Sequence, residues 1–141
     1  MSTRCFIGYR TEDKKINGVY CGHDGYPAHV GRILLDDYQD LEKVKELIAR
    51  GDFSSIGETP DECDWYDDDT TFRTYNSLSD IVENSSYEYV YIYETRFLIE
   101  KQPCWYIGDV RYLTGYPMRI FEKGIVTYEE LTEKIIEEDM E

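Results

Sequence analysis

Residues 87–95, YEYVYIYET, constrain the fold more than any other stretch of this chain. Tyr87, Tyr89, Tyr91 and Tyr93 fall on one face at a period of two, and Val90 and Ile92 fall on the other. Successive side chains of a strand point to opposite faces, and aromatic and β-branched residues suit a pleated surface. The segment is therefore a strand. Its tyrosine stripe is expected to be the core face of a sheet, with Val90 and Ile92 competing for that place. Should they win it, the tyrosines need a helix or a partner over them, and Tyr89 and Tyr91 become binding candidates, because a tyrosine ring gives contact area at low entropy cost.

The remaining segments supply partners for this strand. TRCFIGYR (3–10) and INGVYCGH (16–23) alternate around a short polar link, the pattern of an antiparallel hairpin. The period then changes. Pro27 suits a first helical position, and Val30, Ile33, Leu34 and Tyr38 recur at helical spacing. A second helix is expected from Asp40 as N-cap, with a stripe of Leu41, Val44, Leu47 and Ile48 and with Gly51 as the left-handed stop. GDFSSIGETP after it reads as turns. The acidic stretch 58–76 is expected to be a loop between two halves of a single domain spanning 1–141. SLSDIVEN (77–84) predicts a short helix, with Ser77 and Asp80 at capping spacing. RFLIE (96–100), CWYIG (104–108) and MRIFE (118–122) predict strands. Thr127 and Glu130 have capping-box spacing, and Val126 is placed to staple to Leu131, so a C-terminal helix is expected from there. The fold class that follows is α+β: one antiparallel sheet with an N-terminal hairpin, two following helices and an acidic C-terminal helix.

Charge narrows the function. Thirty acids against fifteen bases leave a net charge of −15, the opposite of the basic face that nucleic-acid binding requires. The same charge permits a basic partner and favours solubility. No apolar run approaches the roughly 20 residues that span a bilayer. MSTRCFIGYR lacks the layout of a signal peptide, so a cytoplasmic location with reduced cysteines is expected.

YCGHDGYPAHVG (20–31) holds the densest set of reactive side chains. Cys21, His23 and His29 are zinc-ligand types that Cys63 or Asp24 could complete, yet their spacing matches no zinc motif. Cys21 with either histidine could make a nucleophile and base, but no signature of a cysteine enzyme surrounds them. The acids of 61–69 lack the spacing of a calcium loop. No catalytic residue, metal or cofactor is expected. The structural reading explains more: Asp24-Gly25 is a turn pair with Gly25 at positive φ, Tyr26 braces the turn, Pro27 starts the helix and Gly31 lets it approach the sheet. Such a corner also presents helix N–H groups where a small anionic ligand could dock. The binding candidates are accordingly Asp24, Tyr26 and His29, with Tyr89 and Tyr91.

The segment from residue 4 to residue 57 resembles a family of small uncharacterised proteins from bacteriophages, prophages and mobile elements. The motif YCxxDGYPxxxGxxLxxxY falls on Tyr20, Cys21, Asp24, Gly25, Tyr26, Pro27, Gly31, Leu34 and Tyr38. The following KVxxLIxxGDxSxxG falls on Lys43, Val44, Leu47, Ile48, Gly51, Asp52, Ser54 and Gly57. Where family members often have His and then an aromatic after the Cys, this chain has Gly22 and His23. The resemblance implies a phage-linked setting and no mechanism. Charge and the tyrosine face add the expectation of a non-enzymatic interaction protein acting on a host protein, such as a defence component. The alternatives are a small-ligand binder, for example of a nucleotide signal at the corner, and a Cys/His enzyme.

Overall fold

The computed structural model describes residues 3–66, 71–83, 87–95, 102–114 and 121–140. The chain opens with the hairpin of β1 (Cys5–Arg10) and β2 (Ile16–Cys21), whose register sets Cys5 opposite Cys21. A π-helical turn (Pro27–Gly31) runs directly into α1 (Arg32–Asp37), and α2 (Leu41–Ala49) follows. Asp40 caps α2 by accepting from the Glu42 amide, and Gly51 ends that helical segment at φ 93°. Three short strands come next, β3 (Phe53–Ser55), β4 (Asp64–Trp65) and β5 (Arg73–Tyr75), and then α3 (Leu78–Glu83). The chain closes with β6 (Tyr89–Glu94), β7 (Cys104–Thr114), β8 (Phe121–Glu130) and α4 (Glu133–Asp139).

These eight strands form one sheet in the order β4-β3-β2-β1-β6-β7-β8, with β5 sharing the outer edge of β2 with β3. Most pairs are antiparallel, but the second half of the chain joins the first through a parallel pair, β1 with β6. The α+β class holds. No helix among the described residues is long and apolar enough to cross a membrane.

The structure corrects three local expectations. Phe53–Ser55 is a strand rather than a turn, because Phe53 pairs with Cys21 and is fully buried. The stretch 58–76 is not simply a loop: it supplies β4 and β5, although residues 67–70 lie outside the described set. Thr127 and Glu130 do not begin a helix. They end β8, where Thr127 faces Asp109 and Tyr128 stacks on Tyr106 at 5.2 Å. The helix starts one turn later, with Thr132 Oγ accepting from the Ile135 amide. Pairing with β7 outweighs a local capping signal there. The expected strand at 96–100 falls outside the described residues, as does most of MRIFE; its Phe121 and Glu122 open β8.

The tyrosine stripe and the aliphatic pair both win a core, since helices cover both faces of the sheet. Tyr91 and Tyr93 lie with Cys5, Ile7, Trp105 and Ile107 under α1, α2 and α4. Val90 and Ile92 lie with Phe6, Ile16 and Ile81 of α3 on the opposite side. Tyr87, just ahead of the strand, belongs to that second cluster and leaves the stripe.

Tyrosine suits the first face because its tip is polar. Tyr91 Oη donates to Gly25 O at 2.7 Å and Tyr93 Oη to Gln39 O at 3.1 Å; Tyr38 Oη reaches Gly57 O at 2.9 Å. These carbonyls lie in the connections around the helices, where the backbone lacks regular partners. Burial pushes Tyr91, Tyr93 and Tyr38 above the ordinary 10.0 of a phenol, and it pushes Cys5 above 9.0, with Cys21 beside it adding to the effect. Each group stays protonated in the folded chain after the unfolded chain has ionised. Its stabilisation is intact below the ordinary value and is lost as pH rises through the folded one. Stability measured by urea melts should therefore fall above about pH 9, steepening past pH 10, each such group contributing about 1.4 kcal/mol per pH unit. A flat profile to pH 11 would contradict this burial.

Candidate functional site

The strand-to-helix corner is built mostly from contacts that hold it shut. After β2, the Gly22 and His23 amides donate to Phe53 O and Ser54 O at 3.1 and 2.9 Å, prolonging the pairing with β3. Asp24 then takes the left-handed conformation at φ 57°, not Gly25 as the turn pair predicts. Asp tolerates that region. Gly25 is needed for a different reason: a Cβ there would stand 2.8 Å from Cys5 Cβ and 3.0 Å from Thr3 O. Gly31 is under no such pressure, since a Cβ would meet Leu131 at an ordinary 3.4 Å. Tyr26 makes no side-chain cap; its carbonyl accepts from the His29 and Val30 amides, and its ring is 37% exposed.

The Cys21 thiol and the His23 ring both reach the Ser54 carbonyl, the ring at 3.3 Å. Cys21 is fully buried, and its thiol faces the carbonyls of His23 and Ser54 at 3.4 and 3.9 Å. The His23 ring shares a hydrogen bond with Ser54 Oγ at 3.0 Å through Nδ1. His29 is half-buried beside Tyr26, and its Nδ1 is buried with no hydrogen-bond partner. Among the described residues no three His, Cys, Asp or Glu side chains are grouped to hold a metal ion.

The motif residues of the following helix are likewise engaged in structure. Lys43 Nζ donates to the carbonyls of Asp37 and Glu58 at 2.5 and 2.9 Å, and Asp52 accepts from the Tyr20 amide and from Arg73. Even the helix N–H that an anion would use is taken: Ala28 N donates to Asp139 Oδ2 at 2.8 Å. Arg32 adds a two-pronged bond to Glu133, at 2.5 and 2.7 Å, so α4 is pinned against the corner at two points. That bond holds the Glu133 carboxyl below its usual range.

Where α4, the corner and the sheet meet, a cleft of about 250 Å³ opens. Its position follows from strand register. Tyr89, Asp109 and Thr127 lie abreast on β6, β7 and β8, and in the next row Ile107 faces Glu129. Ile107 and Ile135, with Pro27 and the Tyr89 ring, give the cleft an apolar surface. Asp109 and Glu129 on the sheet side, and Glu138 and Asp139 on α4, add four carboxylates. No Lys, Arg or His is among the described residues that line it. Of the binding residues expected from sequence, the structure places only Tyr89 here. Tyr91 is buried and committed to Gly25, while Asp24, Tyr26 and His29 do not line the cleft. The sequence reading missed Asp109 and Glu129 because their juxtaposition depends on the β7–β8 register, and it had assigned Glu129 to a helix.

Comparisons with known proteins bring no relative to bear on this site: no family model, curated protein or solved structure matches the chain.

Proposed function

We propose that this protein is a non-enzymatic binding protein for a basic partner. The motif it shares in appearance with phage and prophage proteins points to a component of the host cytoplasm, such as a defence protein, as that partner. The observation that carries the reading is the cleft, which four acidic residues line together with apolar ones, with no base among its described lining. A chain of net charge −15 that gathers acids at a concave site is suited to attract positive charge and to repel nucleic acid and other anions. The inward-facing Cys21 thiol and the Ser54-bound His23 ring do not support a Cys/His enzyme, and the Ala28–Asp139 bond leaves little for an anion at the corner.

The test is capture from a bacterial lysate on the immobilised protein, followed by association kinetics with the purified partner at several salt concentrations. The partner should be basic. Its association should slow steeply from low to physiological salt, where exposed charges are screened over about 8–10 Å. A neutral or acidic partner, or association indifferent to salt, would count against the reading.

A further inference from the structure

We infer that the cleft is the docking point and that its occupant is one lysine side chain, carried on a basic segment of the partner protein; this rests on the binding role proposed above. Size is the first ground. At about 250 Å³ the cleft is smaller than the roughly 300–1,000 Å³ that encloses a drug-sized ligand, and it suits a single long side chain. Its surface is the second. Ile107, Ile135 and Pro27 offer apolar contact to the methylenes of a lysine, which long cationic side chains accept while their heads stay in polar surroundings.

The third ground is how the carboxylates are disposed, which selects lysine over arginine. They come from three separate elements, β7, β8 and α4. Asp139 already has one oxygen on the Ala28 amide. Glu138 lies 4.0 Å from Lys134, an exposed pair of a kind that holds weakly. An ammonium with three rotatable donors can take single oxygens from several directions. A guanidinium is best met by one carboxylate offering both oxygens in plane. The protein shows that second geometry elsewhere, where Glu133 meets Arg32 outside the cleft.

The test uses the full chain and isoleucine-methyl NMR, with an end-blocked Gly-Gly-Lys-Gly-Gly peptide as probe. The peptide should shift the Ile107 and Ile135 methyl signals saturably, and its norleucine counterpart should not. The double variant Glu129→Gln/Glu138→Gln, its amide spectrum showing an intact fold, should weaken the lysine peptide by about tenfold. Glu12→Gln/Glu42→Gln, at exposed acids outside the cleft, should leave it unchanged. Equal or tighter binding of the arginine peptide would overturn the inference, as would shifts scattered over the acidic surface. Tighter seating of spermidine on the same methyls would also overturn it, by making the cleft a polyamine site. If a basic, salt-sensitive partner is captured but leaves Ile107 and Ile135 unshifted, this inference falls and the broader role stands. If the lysine peptide seats as described while capture yields no basic partner, the broader role falls and the lysine preference of the cleft stands.

Discussion

Replacing Trp105 with alanine should cost about 3–5 kcal/mol of stability, the range seen when a large aromatic leaves a packed core. Trp105 is fully buried and heads the largest buried side chains of the protein. Its ring meets Tyr93 edge-on, with centroids 5.3 Å apart. Its Nε1 donates to Tyr38 O at 2.8 Å, at the C-terminal end of α1. Alanine would therefore remove three things together: apolar area, the contacts lining the resulting cavity, and the partner of a buried carbonyl. Phenylalanine would restore most of the ring but not the donor, and should cost less. Denaturant melts of the two variants separate these contributions. A domain holds about 5–15 kcal/mol in total, so the alanine variant should be close to unfolding at 37 °C. A loss under about 1 kcal/mol would mean that this ring does not anchor the helices to the sheet.

Gly25→Val is the second large effect. A Cβ at this position would lie 2.8 Å from Cys5 Cβ, 3.0 Å from Cys5 Sγ and 3.0 Å from Thr3 O. None of these can swing away, because Cys5 is fixed in β1 and Thr3 accepts from the Gly25 amide at 2.9 Å. The Gly25 carbonyl is held from the other side by Tyr91. Overpacking of this kind costs about 1–3 kcal/mol, and the two γ-methyls of valine add to it, so the upper end or beyond is expected. Asp24→Gly is the informative contrast. It relieves a left-handed residue while loosening the unfolded chain, and the two effects should nearly cancel in a urea melt. If Asp24→Gly proved the more damaging change, close packing at Gly25 would not be what the corner needs.

The elements legible in the sequence are those whose signals are local. The alternation of β6, the hairpin of β1 and β2, and α2 with its Asp40 cap and Gly51 stop each declare themselves within a dozen residues. β3 does not, because three residues become a strand only when Phe53 meets Cys21 across the sheet. Thr127 carried a genuine capping pattern that lost to pairing with Asp109 on β7. The cleft was the least legible part. Its walls come from segments far apart in the chain, and their meeting depends on two strand registers and on where α4 lies. The corner was read as structural, and its backbone is, though the glycine and the aspartate divide the work differently from the turn pair.

The parallel seam between β1 and β6 has a kinetic meaning. β1 precedes β6 by about eighty residues of chain, Cys5 to Tyr89, yet it sits in mid-sheet with those two residues abreast. The hairpin can form at once, but the other edge of β1 must wait for a strand from the far half of the chain, and closing that long loop precedes any reward from pairing. Until then a nascent chain exposes an unsatisfied strand edge bearing Phe6 and Ile7, the kind of surface that recruits chaperones or associates wrongly. Once β6 arrives, it completes the cores on both faces together. Folding should thus be slow and late and, when it comes, nearly all-or-none.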